Sequence, residues 1–186
     1  MPALILASRS PQRRAILEQL GIGYEVRVPD VEEVVDGPPH EVAAENAYRK
    51  ARAVGRGEVA VLGVDTVVCV GERMYDKPRG PDEARLTLEA LSGRAHTVIS
   101  GICLMAKGEP RRALASTVVE FRRLETWMVD WYVGTGEWQD RAGGYAIQGR
   151  GAALVTRMEG DYLNVVGLPV VALLDLAPWL LRESGA

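Results

Sequence analysis

Ala3-Leu-Ile-Leu-Ala-Ser-Arg-Ser-Pro-Gln-Arg-Arg14 is the stretch that decides the fold of this chain. Its first five residues are apolar, and this short run predicts a buried strand. Ser10 is a favourable N-cap and Pro11 suits the first position of a helix, after which apolar residues recur at helical spacing from Ile16 to Leu20. Gly21 is a residue at which that helix can end. The stretch therefore predicts a strand, a turn and the N-terminus of a helix.

Strands and helices continue to alternate along the rest of the chain. Apolar runs predict further strands at residues 24–28, 59–70, 96–105, 113–122, 152–157 and 162–166. Helical spacing and helix-ending residues predict helices at residues 41–54, 82–91, 124–133 and 169–181. Because some strands are adjacent in sequence and others are separated by helices, we expect an α/β fold with a mixed sheet. No internal repeat or linker divides the chain, so we expect a single domain over residues 1–186.

The composition excludes several classes of protein. The chain has 186 residues, of which 47% are hydrophobic and 25% are charged, and its net charge is −3. This balance provides no bulk positive field, so we expect no stable complex with nucleic acid. The longest apolar region, Val165–Leu181, is interrupted by glycine, proline and aspartate, and the N-terminus does not resemble a signal peptide. We therefore expect no membrane span and a cytoplasmic location.

Cysteine and histidine are too sparse for a disulfide framework or a histidine-based zinc site. Cys69 and Cys103 lie in apolar runs and are expected to be buried free thiols. His40 and His96 are far apart in the sequence. A polyanionic substrate would therefore need a local positive site or a metal held by oxygen ligands.

The turn after the first predicted strand is a candidate phosphate site. A helix N-terminus presents free backbone N–H groups and a positive dipole end. The hydroxyls of Ser8 and Ser10 and the guanidinium of Arg13 would add hydrogen-bond donors. The alternative is an ordinary capped helix at the surface.

Two acidic segments are candidate metal sites. Glu32 and Glu33, with Asp30 nearby, could hold Mg²⁺ or Mn²⁺, although such a cluster is also typical of a solvated turn. Asp65 stands inside the apolar run Val61–Val70, where a carboxylate is costly to bury unless it is paired or bound to metal. The alternative is that Asp65 lies at a strand end and caps a turn.

Two loops carry further polar candidates. Lys77 lies in a loop before Pro78, and the chain has lysine only at residues 50, 77 and 107, its other basic residues being arginine. This pattern indicates sites that need a compact ammonium group. The second loop, Gly143–Gly149, contains glycines that permit close approach to a ligand, and the amide of Gln148 could pair with a base edge. Each loop taken alone is also typical of a flexible connection.

Together, and in this order, these segments resemble the Maf family of nucleotide pyrophosphatases, over nearly the whole chain from Leu4 to Pro169. The ordered pieces are Ser8-x-Ser-Pro-x-Arg13, Glu32-Glu33, Lys50-Ala51, Gly63-Val-Asp-Thr-Val-Val68, Lys77-Pro78, Leu91-Ser-Gly-Arg-x-His96, Gly144-Tyr-Ala-Ile-Gln-Gly149 and Val165-Val-Gly-Leu-Pro169.

The resemblance implies an elongated α/β fold with a mixed twisted sheet flanked by helices and a deep central cleft, similar to that of inosine triphosphate pyrophosphatases. It also implies a reaction at the α-phosphate of a nucleoside triphosphate that releases pyrophosphate and depends on Mg²⁺ or Mn²⁺, in a homodimer. The residues that match catalytic positions of the family are Glu33, Lys50, Lys77 and Asp65, the last as a general base. The residues that match substrate-binding positions are Ser8, Ser10, Gln12, Arg13, Thr66 and Gln148. The expected metal ligands are Glu33 and Asp65.

Within the family, the loop Gly144–Gly149 resembles the branch that acts on dTTP and UTP. A glutamine amide at 148 could accept from N3–H of uracil or thymine and donate to a neighbouring carbonyl. Gln12 departs from the family, which usually has arginine there, and Arg141 stands where lysine is common. Because a helix turns by about 100° per residue, Arg14 does not replace an arginine at position 12. We expect the change to Gln12 to affect the rate and the nucleotide selectivity of the enzyme more than its reaction class.

Other functions also fit the sequence. One alternative is a pyrophosphatase that acts on 7-methyl-GTP or removes purine nucleotides such as inosine or xanthosine triphosphate. The other is a nucleotide-binding regulator of cell division without catalysis. The retained Asp65, Glu33, Lys50 and Lys77 argue against a protein that has lost its catalysis.

Overall fold

The computed structural model describes residues 4–55 and 57–182. The strands are β1 (Leu4–Ala7), β2 (Tyr24–Val26), β3 (Val61–Val70), β4 (Arg73–Met74), β5 (Ala95–Ala106), β6 (Glu109–Phe121) and β7 (Val155–Glu159). The helices are α1 (Pro11–Gln19), α2 (Pro39–Val54), α3 (Pro81–Leu91), α4 (Thr126–Gly134), α5 (Tyr162–Val166), α6 (Val170–Leu176) and α7 (Trp179–Arg182). Two short 3₁₀ helices, Ala142–Gly144 and Arg150–Leu154, precede β7.

The strands form one mixed sheet, which confirms the expected α/β class. Six strands lie in the order β2-β1-β3-β5-β6-β7, and the short β4 pairs with β3 as the seventh. Strand β1 is parallel to both β2 and β3, whereas β3 pairs with β4, and β6 with β7, in antiparallel fashion. The elongated outline and the deep cleft implied by the resemblance remain predictions.

The chain divides into two compact units, and the strands β3, β5 and β6 contribute residues to both. The first unit comprises residues 1–66, 100–115 and 167–186, within the limits of the described residues. Its apolar core contains residues of β1, α2, β3 and β5, including Ile5, Ala47 and Cys103. The second unit comprises residues 67–99 and 116–166, and Phe121 and Tyr132 are among the largest residues of its core. The expectation of a single domain remains a prediction.

Helix α2 lies against the sheet more closely than ordinary side chains would allow. A Cβ atom at Gly63 of β3 would overlap the carbonyl oxygen of Ala47 and lie 2.7 Å from the amide nitrogen of Ala51. A Cβ atom at Gly101 of β5 would overlap the carbonyl oxygen of Ala43. The three alanines, spaced four residues apart, are fully buried. Glycine on the strands and alanine on the helix therefore bring the two backbones together.

Several boundaries expected from the sequence are confirmed. Ser10 caps α1, its hydroxyl accepting from the amide of Arg13, and Pro11 occupies the first turn. Gly21 follows the end of the helix with φ of 67°, a conformation that glycine adopts at little cost. Cys69 and Cys103 are buried free thiols. Ala3, expected in the first strand, lies outside the described residues.

Three expectations for the secondary structure are wrong. Residues 162–166 form helix α5 rather than a strand, and the carboxylate of Asp161 accepts from the amide of Leu163 at its start. Residues 150–154 form a 3₁₀ helix, so that the strand expected from Ala152 begins only at Val155. The final helix is divided into α6 and α7 at Pro178, because proline disfavours helical conformation in the residue before it, here Ala177.

No helix among residues 4–55 and 57–182 is long and apolar enough to cross a membrane.

We predict that Gly63→Ala destabilises the protein, because the added methyl group can be accommodated only if α2 moves away from the sheet. Overpacking of this kind costs about 1–3 kcal/mol of unfolding free energy, and more where backbone must move. Urea unfolding measures the loss. Gly134→Ala is the control, because no atom apart from its chain neighbours and the backbone of its own helix lies within 4 Å of the added Cβ, and its effect should be no more than a gain of about 1 kcal/mol from helix propensity. Equal unfolding midpoints for the two variants would contradict the tight approach of α2.

Candidate active site

The first part of the site lies where β1 ends. Strand β1 is in register with β3 up to the pair Ala7 and Gly63, and Ser8 follows directly. The buried guanidinium of Arg13, on the first turn of α1, donates from Nη1 to the Ser8 hydroxyl (2.9 Å) and from Nε to the Gly167 carbonyl (2.8 Å). Its Nη2 donates to the hydroxyl of Thr66 at 3.2 Å. These contacts hold a positive charge at a fixed place in the interior.

Burial lowers the pKa of Arg13, and the negative charges of Asp65 and Glu33 partly oppose this effect. An arginine starts from so high a value that it stays protonated. The charge of Arg13 is therefore permanent and poorly hydrated, which is the condition under which it attracts phosphate oxygens strongly.

Hydroxyl groups surround this guanidinium. The Ser8 hydroxyl also accepts from the amide of Ser10 at 3.2 Å, and the Ser10 hydroxyl donates to the side-chain oxygen of Gln12 at 2.9 Å. The hydroxyls of Thr66 and Ser100 lie 2.9 Å apart, and Ser100 is fully buried. The four substrate-binding candidates of the segment after β1 are therefore linked by hydrogen bonds, and they are Ser8, Ser10, Gln12 and Arg13.

The second part of the site is a cluster of opposite charges on α2 and β3. The ammonium of Lys50 lies 2.6 Å from a carboxylate oxygen of Asp65 and 2.9 Å from a carboxylate oxygen of Glu33. The side chains of Lys50 and Asp65 are only 10% and 11% exposed, whereas that of Glu33 is 51% exposed. Asp65 therefore lies within a strand and is paired, as its cost of burial requires, and the alternative of a cap at a strand end is wrong.

The position of Asp65 explains why it meets α2. Side chains two residues apart on a strand point to the same face, so Asp65 shares the face of Gly63, over which α2 lies. Thr66 points to the opposite face and bonds to Arg13 and Ser100. The strand β3 therefore presents a carboxylate on one side and a hydroxyl on the other at consecutive residues.

The carboxylates of Glu33 and Asp65 are suitable ligands for a hard divalent cation, but they supply only part of its coordination. Glu33 and Asp65 supply two carboxylates, which suits Mg²⁺ or Mn²⁺ when substrate phosphates and water complete the coordination. Within residues 4–55 and 57–182, no group of three or more histidine, cysteine, aspartate or glutamate side chains is arranged to hold a metal ion. Lys50 meanwhile provides a positive charge that both carboxylates share.

Asn46 and Ser100 are polar residues of this site that were not among the candidate site residues, although the sequence places Asn46 on the same helix face as Lys50. Asn46 is 2% exposed and bonds through its amide to the backbone of Val34 and to Asp65. Its position four residues before Lys50 was the available sign, because residues at that spacing share a helix face. For Ser100, the only sign in the sequence was a polar side chain within a largely apolar strand.

Lys77 and Gln148 belong to the second unit. Both are exposed, Lys77 in the loop between β4 and α3 and Gln148 between the two 3₁₀ helices. The loop around Gln148 is nevertheless anchored on both sides. The amide of Gly143 donates to the Tyr75 carbonyl (2.9 Å), and the amide of Arg150 donates to a Glu137 carboxylate oxygen (2.8 Å).

A buried aromatic cluster supports the same loop. The ring nitrogen Nε2 of His96 lies 2.9 Å from the hydroxyl of Tyr145, and both rings contact Phe121 edge to face. The hydroxyl of Tyr132 accepts from the amide of Ala146 at 2.9 Å. Burial lowers the pKa of His96 to about 4, so that this imidazole is neutral near pH 7. His96 thereby connects two segments that are far apart in sequence.

Comparison with known proteins identifies related sequences over the whole site. The family model for Maf-like proteins matches residues 3–178. A dTTP/UTP pyrophosphatase of Anaeromyxobacter dehalogenans is 47% identical, covering 99% of this chain and 95% of that protein. A dTTP/UTP pyrophosphatase of Thermus thermophilus is 48% identical, covering 91% of this chain and 90% of that protein. Another, of Pyrococcus furiosus, is 39% identical, covering 95% and 94%.

A solved structure, that of the Staphylococcus aureus Ham1 protein, aligns with a TM-score of 0.46 and 17% identity over 63% of this chain and 71% of that chain.

We predict that acid destabilises the protein through His96. The pKa of His96 is about 4 when folded and about 6.5 in an exposed histidine, so the unfolded chain binds the proton first as the pH falls. The contribution of the neutral imidazole is therefore complete above pH 6.5 and is lost between about pH 6.5 and pH 4. Between pH 7 and 5 the unfolding free energy should fall by about 2 kcal/mol more in the wild type than in His96→Gln. Denaturant unfolding at both pH values tests this, and an equal fall in the two proteins would contradict it.

Proposed function

We propose, from the premise that this chain belongs to the Maf family, that it hydrolyses dTTP and UTP to the nucleoside monophosphate and pyrophosphate. The observation that carries the proposal is the cluster in which the ammonium of Lys50 meets the carboxylates of Asp65 and Glu33. The buried guanidinium of Arg13, which bonds to Ser8 and to Thr66, the residue after Asp65, supplies a second fixed positive charge. The three relatives named dTTP/UTP pyrophosphatase are similar to this chain over at least 90% of both lengths. Because the chain carries a net charge of −3, attraction of a triphosphate depends on such local charges.

The residues of the first unit divide the work of such a reaction. Arg13 and Lys50 stabilise the negative charge that builds up on the phosphate oxygens, and the hydroxyls of Ser8 and Ser10 donate to phosphate oxygens that approach the N-terminus of α1. Asp65 orients a water molecule for in-line attack on the α-phosphorus and accepts its proton. Glu33 and Asp65 would hold Mg²⁺ or Mn²⁺, which when bound neutralises phosphate charge.

Lys77 and Gln148 complete the proposed set. Lys77 is assigned to the phosphates because an exposed lysine side chain carries three donors on a flexible stem. Gln148 is assigned, with Thr66 and Gln12, to the choice of nucleotide, because its amide can match the alternating acceptor and donor groups of uracil and thymine. The anchored backbone on either side of Gln148 supports this role, since a loop that is already ordered loses less entropy on binding.

We also propose that the protein is a homodimer. Trp127 and Trp131, four residues apart on α4, are 66% and 42% exposed. Large apolar side chains exposed together on one helix face are a common feature of interfaces between subunits. Light scattering at micromolar protein concentration decides the point, and a monomeric mass would contradict the proposal.

The test of the proposed reaction is release of pyrophosphate from a panel of nucleotides by the wild type, Asp65→Asn and Gln148→Ala. The wild type should require a divalent cation and should favour dTTP or UTP over ATP and GTP by at least about tenfold in kcat/KM. Asp65→Asn should lower kcat by about 10²–10⁴, because it removes the proton acceptor. Gln148→Ala should reduce the pyrimidine preference by about 1–3 kcal/mol, the usual cost of an unpaired polar group.

Each alternative has its own outcome in this panel. Preference for 7-methyl-GTP, or for inosine or xanthosine triphosphate, would contradict the pyrimidine assignment while leaving the reaction class intact. Binding of nucleotides without release of pyrophosphate would favour the non-catalytic regulator. Asp65→Asn with unchanged turnover and an unchanged fold would remove Asp65 from the mechanism.

A further inference from the structure

Glu33 lies in a segment that has no regular secondary structure to fix its backbone. Residues 27–38, between β2 and α2, contain neither helix nor strand. The carboxylate of Glu33 is moreover half-exposed. The position of this carboxylate therefore depends on side chains from elsewhere that hold the segment.

Helix α2 supplies those side chains, one for each of three consecutive residues. Arg49 donates to the carbonyl of Glu32 at 3.2 Å, and Lys50 pairs with the carboxylate of Glu33 at 2.9 Å. Asn46 accepts from the amide of Val34 at 2.7 Å and donates to its carbonyl at 2.9 Å. Residues 46, 49 and 50 lie three and four positions apart, so they share one helix face.

Asn46 is the uncharged member of these three side chains, and it bonds both to the segment that carries Glu33 and to Asp65. Its amide nitrogen also donates to Asp65 at 3.3 Å, so one buried amide contacts the segment of Glu33 and the carboxylate of Asp65. An asparagine amide has two donors and one acceptor oxygen, and this environment uses all of them. Aspartate in its place would lose both donors and add a negative charge beside Asp65.

We propose that Asn46 is a positioning residue that fixes the Glu33 carboxylate relative to that of Asp65. Asn46 holds Val34 through both of its backbone groups, as a neighbouring strand would, and so restricts the residue before it. The significance of this arrangement for catalysis rests on the proposed function, because Glu33 and Asp65 are its assigned acidic residues. Displacement of a reacting group by about 1 Å can cost about 10²-fold in rate.

The experiment compares Asn46→Ala and Asn46→Asp with the wild type in two measurements. Hydrogen exchange at the amide of Val34 reports the hold on the segment directly. Asn46→Ala removes the acceptor of that amide and should abolish its protection, whereas Asn46→Asp keeps an acceptor oxygen and should retain part of it. In the pyrophosphate-release assay, both variants should lose about 10- to 100-fold in kcat, with KM for dTTP changed less than threefold, because Ser8 and Arg13 are untouched.

The control is His40→Ala, an exposed residue at the start of the same helix, which should leave Val34 protection and both kinetic constants unchanged. Protection of Val34 that survives Asn46→Ala, or wild-type kcat in that variant, would overturn the proposal. A fall in kcat accompanied by an equal rise in KM would also overturn it, because that result would indicate a general disruption of the site. If Asn46→Ala does not fold, Asn46→Asp, which has the same size, carries the test. A wild type without pyrophosphatase activity would contradict the proposed function alone, since the exchange measurement does not depend on turnover.

Discussion

The close approach of α2 to the sheet is the constraint on which the candidate site depends. It exists because Gly63 and Gly101 have no side chain and because only alanines face them from the helix. Asp65 follows Gly63 by two residues on the same face of β3, and Lys50 lies one residue before Ala51. The backbone contact therefore determines the charge contact: a wider separation would leave the ammonium unable to reach a carboxylate held within a strand.

This geometry also explains why lysine serves at position 50 in a chain whose basic residues are mostly arginine. A single nitrogen lies 2.6 Å from Asp65 and 2.9 Å from Glu33, so a compact ammonium with three donors meets two carboxylates from one point. A guanidinium is planar and wider, and it would separate the acidic groups. Arg13 is suited to the opposite requirement, since its three nitrogens reach Ser8, Thr66 and the carbonyl of Gly167 in different directions.

Features fixed by neighbouring residues could be predicted from the sequence, whereas features fixed by distant contacts could not. The start of α1 follows from Ser10 and Pro11, whose capping role is local. Residues 162–166 have an apolar content that suits a strand or a helix equally, so their composition could not decide between the two, and the hydrogen bond from the Leu163 amide to the Asp161 carboxylate marks the start of the helix that forms. Asn46 could be placed on the face of Lys50, but its partner Val34 lies in a segment without periodicity, so nothing local indicated the pair.

The second unit shows how a short loop can keep one polar side chain available without being flexible. Tyr145, Ala146 and Ile147 are buried, and the next residue, Gln148, is exposed. Buried aromatic contacts and backbone hydrogen bonds on both sides restrict the loop, so the amide of Gln148 is presented by a backbone that is already ordered. Because this backbone is already ordered, less entropy is lost when the side chain that it carries pairs with a ligand. In the proposed role of Gln148, the buried His96 therefore acts indirectly, because its contact with Tyr145 helps to hold the backbone of the loop.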